Sequence, residues 1–127
     1  MIYFLSGGAK NGKSTLAQDI VCAQPGPHYY VATMIPHDAE DELRIKRHLE
    51  NRAGLGFETV ECETGIVSAL ARMQPDGAML LDSVTALLSN EMFRADGSMD
   101  KTAPERLEQE LLTLAAGMRC CVFVSDF

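Results

Sequence analysis

The sequence predicts an α/β fold: a mostly parallel sheet with helices on both faces. Two observations carry this. Short apolar runs alternate with longer segments of helical periodicity along the chain, and that alternation argues for a parallel sheet covered on both sides. The first apolar run also leads straight into the glycine-rich octapeptide Gly7-Gly8-Ala9-Lys10-Asn11-Gly12-Lys13-Ser14 and then into a helix. A strand, a loop and a helix in that order are the setting in which such a loop cradles phosphates.

In chain order, Ile2 to Leu5 reads as a buried strand and Thr15 to Cys22 as a helix. Gln24 to Pro27 is a turn, and His28 to Thr33 is a second strand. A polar helix is expected from Asp38 to Arg52, with acids in its first turn as the helix dipole favours and Gly54 and Gly56 after it. Phe57 to Cys62 is a short strand, Ile66 to Met73 a helix, and Pro75-Asp76-Gly77 a turn. Ala78 to Leu81 is a continuous apolar strand ending at Asp82. Thr85 to Phe93 is helical, Arg94 to Thr102 a loop, and Pro104 to Gly117 an amphipathic helix with Leu107, Leu111, Leu112 and Ala115 on its apolar side. Cys120 to Ser125 is the last strand. No repeat, low-complexity tract or linker divides the chain, so its 127 residues form one domain.

Composition narrows the function. The apolar fraction of 46% and charged fraction of 23% are those of a soluble globular protein. A net charge of −7 argues against nucleic acid, whose backbone is bound by clustered Lys and Arg. No run is long enough to span a membrane, and no signal peptide is expected before Ile2. Cys22, Cys62, Cys120 and Cys121 lack metal-ligand spacing. Reduced thiols and a cytoplasmic location are expected, with Cys120 and Cys121 serving as small buried hydrophobes.

The octapeptide fits G-x-x-x-x-G-K-[ST] without a mismatch, which makes the fold a P-loop NTPase of the RecA-like kind. Backbone N–H groups of Gly7, Gly8, Ala9, Lys10, Asn11 and Gly12 would face phosphate oxygens, aided by the helix N-terminus. Lys13 would neutralise the β and γ phosphates of ATP or GTP, and the Ser14 hydroxyl would coordinate Mg²⁺. Asp82, ending an apolar strand, is the expected acid for the metal's water shell; the competing role is to cap the following helix. Asp126, at the end of the last strand, is a second candidate for polar work at that edge.

Arg44, His48 and Arg52 are spaced i, i+4, i+8, so one helix face carries a histidine between two guanidiniums. Neighbouring cations oppose protonation, leaving an imidazole neutral and nucleophilic near pH 7, and guanidiniums can clamp a phosphoryl group. A charge-rich stripe is more often a solvated helix face, and spacing alone favours that reading.

The order GGAKNGKS, YVAT, R-I-x-x-H-x-x-x-R, LLDSVTALLSN and VFVSD resembles the CobU family, bifunctional adenosylcobinamide kinases and adenosylcobinamide-phosphate guanylyltransferases of cobalamin biosynthesis. The resemblance spans this whole chain and the N-terminal and central part of a typical member. It implies that His48 is the histidine guanylylated to a covalent phosphoramidate, with Lys13 assisting. It implies nucleotide contacts from the phosphate loop, Asp82, Arg44 and Arg52, the two arginines steadying the α-phosphate. The implied substrates are ATP or GTP, adenosylcobinamide and its phosphate, and the implied assembly is a homotrimer. Thr85 and Asn90 match a Thr…Asn pattern after the acid. His28, at a strand start, is expected to be structural and His37 a solvated loop residue. Ala53 and Phe57 stand where members often have Pro and Trp, which bears on the guanosine or substrate pocket. Members continue past the strand matching Val122 to Asp126, so Phe127 is expected to be a truncation point with an open sheet edge beside it.

Two other functions fit the same motif. A plain small-molecule kinase would transfer phosphoryl groups without a covalent nucleotide. A non-catalytic nucleotide-binding subunit would bind without turnover. No N-K-x-D guanine-reading motif is present to suggest a GTPase switch.

Overall fold

Five strands, all parallel, form one sheet in the computed structural model, which describes residues 1–7, 12–36, 38–94 and 96–126. They are β1 (Ile2–Ser6), β2 (His28–Ala32), β3 (Glu58–Glu61), β4 (Ala78–Asp82) and β5 (Cys120–Ser125). The spatial order is β1-β5-β4-β2-β3. The chain thus travels outward from β2 to β3 and then returns to place β4 and β5 between β2 and β1. All carboxyl ends lie along one edge, the edge where open α/β sheets bind ligands.

The helices are α1 (Lys13–Cys22), α2 (Ala39–Gly54), α3 (Val84–Met92) and α4 (Ala103–Ala116), with a 3₁₀ helix at Ile66–Arg72. Local chemistry sets their ends. Asp38 caps α2 by accepting from the Asp41 N–H at 2.8 Å, and Glu40, Asp41 and Glu42 occupy its first turn. Ser83 caps α3 through the Ala86 N–H at 3.1 Å. Pro104 sits in the first turn of α4, where its missing N–H costs nothing. Gly12 enters α1 at φ 84°, a left-handed conformation that a side chain would strain.

Two apolar layers flank the sheet. One joins Val31, Met79, Leu81 and Phe123 to Ile66, Leu87, Leu107 and Leu114 from the 3₁₀ helix, α3 and α4. The other joins Tyr30, Leu80, Val122 and Val124 to Ala17 and Val21 of α1, with Leu49 of α2 against it. The central strands β2, β4 and β5 are buried, whereas edge strand β1 leaves Ile2 58% and Phe4 55% exposed.

Several expectations need correction. The segment from Ile66 is a 3₁₀ rather than an α helix. Leu112 is 54% exposed while Leu114 is fully buried, so the apolar stripe of α4 runs through Leu107, Leu111 and Leu114. Helix α1 begins at Lys13, two residues before the predicted start. Cys120 and Cys121 are buried as expected, and burial pushes the Cys121 thiol up to about 12, whereas Cys22 is exposed. Among the described residues no helix is long and apolar enough to cross a membrane.

Candidate active site

A cleft of about 410 Å³ opens at the carboxyl edge of the sheet, walled by Lys13, Ser14, His48 and Asp82 among others. They come from three places in the fold. Lys13 and Ser14 start α1 just after β1, Asp82 ends β4, and His48 projects from the middle of α2. Gly8, Ala9, Lys10, Asn11 and His37 lie outside the described residues, so the phosphate loop is seen here only at Gly7, Gly12, Lys13 and Ser14. Gly7 continues the β1–β5 pairing, its N–H donating to the Ser125 carbonyl at 3.3 Å.

Asp82 stands apart from helix capping, since Ser83 does that work. Its Oδ2 accepts from the Tyr30 hydroxyl at 3.2 Å, across the β2–β4 ladder. Burial raises its carboxyl above the usual carboxylate range; the Tyr30 bond opposes this and the nearby Asp126 charge adds to it. Asp126 lies 2.8 Å from Lys13 Nζ, and its backbone N–H donates to Thr85 Oγ1 at 2.8 Å. The polar role expected for Asp126 thus has a partner, and Thr85 is its brace. Asn90 also braces the rim, its amide donating to the carbonyls of Thr33 (2.7 Å) and Glu63 (2.9 Å) and so tying the ends of β2 and β3 together.

His48 is half-buried over this floor. Burial first, then the guanidinium of Arg52, hold its imidazole below the usual histidine range; Asp82 pulls the other way and Arg44 adds a smaller depression. The imidazole is therefore neutral near pH 7. Its Nδ1 is buried without a hydrogen-bond partner among the described residues. An unpaired buried nitrogen of this kind is rare in a structural core.

The two arginines of the α2 stripe part company. Arg44 is exposed on the cleft wall, 3.0 Å from Asp41 one turn earlier. Arg52, expected at the α-phosphate, is instead 3% exposed and does not line the cleft. Its guanidinium lies 5.1 Å from the Tyr30 ring centroid, a cation–π contact. With the Gln18 amide turned to satisfy both groups, its oxygen accepts from Arg52 Nη1 at 2.8 Å. Gln18, Arg52, Tyr30 and Asp82 thus form one chain of contacts from α1 through α2 to the floor. Arg52 reaches the cleft through Tyr30 and Asp82.

Sequence reasoning missed Tyr30 as Asp82's partner, and it missed the cleft residues Met34, Ile45, Glu61 and Glu63. No local pattern marks them, because strand order brings them together. His28 is structural as expected: its Nε2 donates to the Gln24 carbonyl at 2.6 Å and its ring tilts against Phe57.

A parallel sheet whose first strand feeds a phosphate-loop sequence, with the lysine, serine and an acid meeting at its carboxyl edge, defines an α/β protein of the P-loop NTPase class. Its family is more specific. A family model described as cobinamide kinase / cobinamide phosphate guanyltransferase matches residues 3–126, and the chain belongs to that family. It is 30% identical to the bifunctional adenosylcobalamin biosynthesis protein CobU of Salmonella typhimurium, the match covering 95% of this chain and 70% of that protein. Identity to the protein of the same name in Escherichia coli is 27% with the same coverage.

Proposed function

We propose that this chain carries out both half-reactions of nucleotide-loop assembly in cobalamin biosynthesis. In the first, the aminopropanol hydroxyl oxygen of adenosylcobinamide attacks the γ-phosphorus of ATP or GTP, and the nucleoside diphosphate leaves. In the second, a ring nitrogen of His48 attacks the α-phosphorus of GTP. A P–N bond forms, the P–O bond to pyrophosphate breaks, and GMP is held on the histidine. A phosphate oxygen of adenosylcobinamide phosphate then takes the GMP, restoring His48 and giving adenosylcobinamide-GDP. The covalent step divides one difficult displacement into two easier ones.

The observation that carries this reading is the placing of His48, held neutral, in the same cleft as Lys13, Ser14 and Asp82. A neutral imidazole keeps a lone pair for phosphorus. Lys13 stabilises charge on the phosphates, and it must exchange Asp126 for them when nucleotide enters. Arg44, exposed on the wall, would leave Asp41 to reach the α-phosphate, while Arg52 fixes α2 and keeps protons off His48.

Ser14 and Asp82 would hold Mg²⁺. Among the described residues no three His, Cys, Asp or Glu side chains form a ready-made cage; an oxygen pair of this kind suits an ion that completes its shell with water and substrate phosphates. When bound, Mg²⁺ offsets charge on the transferring and leaving phosphates.

The test is incubation with α-labelled GTP and Mg²⁺ followed by denaturing electrophoresis. The expected result is an acid-labile, hydroxylamine-sensitive label that His48→Ala abolishes. Folded protein that binds GTP and phosphorylates adenosylcobinamide but takes no label would instead be a simple kinase.

A further inference from the structure

We propose that the Asp126 carboxylate is the general base of phosphoryl transfer, taking the proton of the aminopropanol hydroxyl as that oxygen attacks the γ-phosphorus. The inference rests on the kinase half of the reading above and names the group that half still lacks.

The two half-reactions differ in their nucleophiles. The phosphate oxygen that takes GMP is already ionised, and a neutral His48 offers a lone pair, so neither needs a base. The hydroxyl does. An alcohol keeps its proton far above neutral pH, and a positioned carboxylate can accept it in the transition state. Phosphoryl transfer therefore calls for a carboxylate beside the γ-phosphate that the metal does not use.

Four acids line the cleft: Glu61, Glu63, Asp82 and Asp126. Lys13 marks where the γ-phosphate comes to lie, and Asp126 Oδ1 is 2.8 Å from its Nζ. Asp82 is taken up, since its Oδ2 accepts from the Tyr30 hydroxyl at 3.2 Å and its place is that of the metal's acid. Glu61 ends β3, three strand spacings across the sheet from β5, about 14 Å. Glu63, two residues on, belongs to the same end of the sheet, its carbonyl held by Asn90.

Asp126 is also fixed in place. Its backbone N–H donates to Thr85 Oγ1 at 2.8 Å, and the Thr85 and Ser125 hydroxyls are 3.3 Å apart. Ser125 is fully buried, and its carbonyl accepts from the Gly7 N–H at 3.3 Å. The carboxylate thus enters the cleft from a rigid point between the phosphate loop and the end of β4.

Charge makes the base conditional on the nucleotide. Paired with Lys13, Asp126 is a poor proton acceptor. A triphosphate takes Lys13 away and sets negative oxygens beside the carboxylate, and both changes raise its affinity for a proton. The proton then passes from the hydroxyl oxygen to Asp126 as the new O–P bond forms. The bond from the γ-phosphorus to the bridging oxygen breaks, and its electron pair leaves with the nucleoside diphosphate. With its side chain 46% exposed, Asp126 afterwards returns the proton to water.

The experiment compares wild type, Asp126→Asn and Asp126→Glu in two assays: phosphoryl transfer from γ-labelled GTP to adenosylcobinamide, and self-labelling by α-labelled GTP. Asp126→Asn should lower the saturating rate of phosphoryl transfer about 10²-fold. It should take the GTP label at least as fast as wild type, because Lys13 no longer has Asp126 to leave, and the label also shows that the variant is folded. Asp126→Glu keeps a carboxylate and should recover part of the lost rate. A third arm uses adenosylcobinamide whose methyl group on the carbinol carbon is replaced by trifluoromethyl, which makes the hydroxyl more acidic. The Asp126→Asn defect should shrink several-fold with that substrate, a change that a role in holding Lys13 would not produce. Phosphoryl transfer by Asp126→Asn within a few-fold of wild type would overturn the assignment. So would an equal loss in both assays, which would make Asp126 a positioning residue for Lys13, or a defect that fluorination leaves unchanged. Wild type that takes the GTP label yet does not phosphorylate adenosylcobinamide would remove the kinase half and this inference together, and would leave the transferase half standing.

Discussion

The two layers flanking the sheet are built on different principles. The layer of α3, α4 and the 3₁₀ helix is held by fully buried side chains such as Ile66, Leu87 and Leu114. In the other layer, the only fully buried side chain of α2 is that of Arg52, a guanidinium satisfied by Gln18 and the Tyr30 ring. The first layer gains stability from apolar area removed from water. The second holds a charged helix over a cleft, where the same contacts that fix α2 also set the protonation of His48 and Asp82. Stability and chemistry are therefore separable by face, and substitutions can test the separation.

The largest effect is expected at Lys13. Lys13→Ala should lower both phosphoryl and guanylyl transfer by about 10²- to 10³-fold, the cost of losing one preorganised charge-stabilising group. Thermal unfolding should change little, since the Lys13–Asp126 pair is partly open to solvent. On the opposite face, Leu114→Ala should cost about 2–5 kcal/mol in denaturant unfolding through the cavity it leaves. The amount of GTP label per folded molecule should be unchanged there. If Leu114→Ala altered the labelling of folded protein, the two layers would be coupled after all.

Arg52→Met is a finer probe. Removing the guanidinium takes away the second-largest cause of the depressed His48 pKa, so the imidazole titrates higher. A neutral nucleophile needs pH above that pKa. The acid limb of the labelling rate against pH should therefore move to higher pH, which rapid-quench kinetics at several pH values would show. The smallest effect belongs to Asp82→Asn. Burial raises the folded carboxyl above 3.8, so the folded state binds more protons than the unfolded one between 3.8 and that raised value. Wild-type stability from this group is full below 3.8 and is lost as pH rises through the folded pKa. Asp82→Asn escapes that loss: near neutral pH its melting temperature should rise modestly, by up to about 1 kcal/mol of stability, while activity falls. At pH below 3.8 the advantage should vanish.

These contrasts also show what was legible in the sequence. Strands Ala78–Asp82 and Cys120–Ser125 were readable because a strand buried on both faces is a continuous apolar run. The phosphate-loop pattern was readable because its glycines and lysine are adjacent in sequence. The fate of Arg52 was not. Arg44, His48 and Arg52 look equivalent as a helical stripe, yet about two turns of helix separate an exposed guanidinium from a buried one. The difference depends on Tyr30 and Gln18, which reach Arg52 only after β2 and α1 pack. The Lys13–Asp126 pair has the same origin in strand order. On α4, Leu111, Leu112 and Leu114 are too close in sequence for periodicity to say which faces the sheet, and packing excluded Leu112.

The central claim is that one cleft serves two chemistries and that His48 belongs to only one of them. The most direct measurement is the rate of phosphoryl transfer from γ-labelled nucleotide to adenosylcobinamide by His48→Ala, beside its labelling by α-labelled GTP. The account predicts a covalent label reduced to background with phosphoryl transfer within a few-fold of wild type. A variant that is folded and loses phosphoryl transfer along with the label, or that keeps the label, would contradict it.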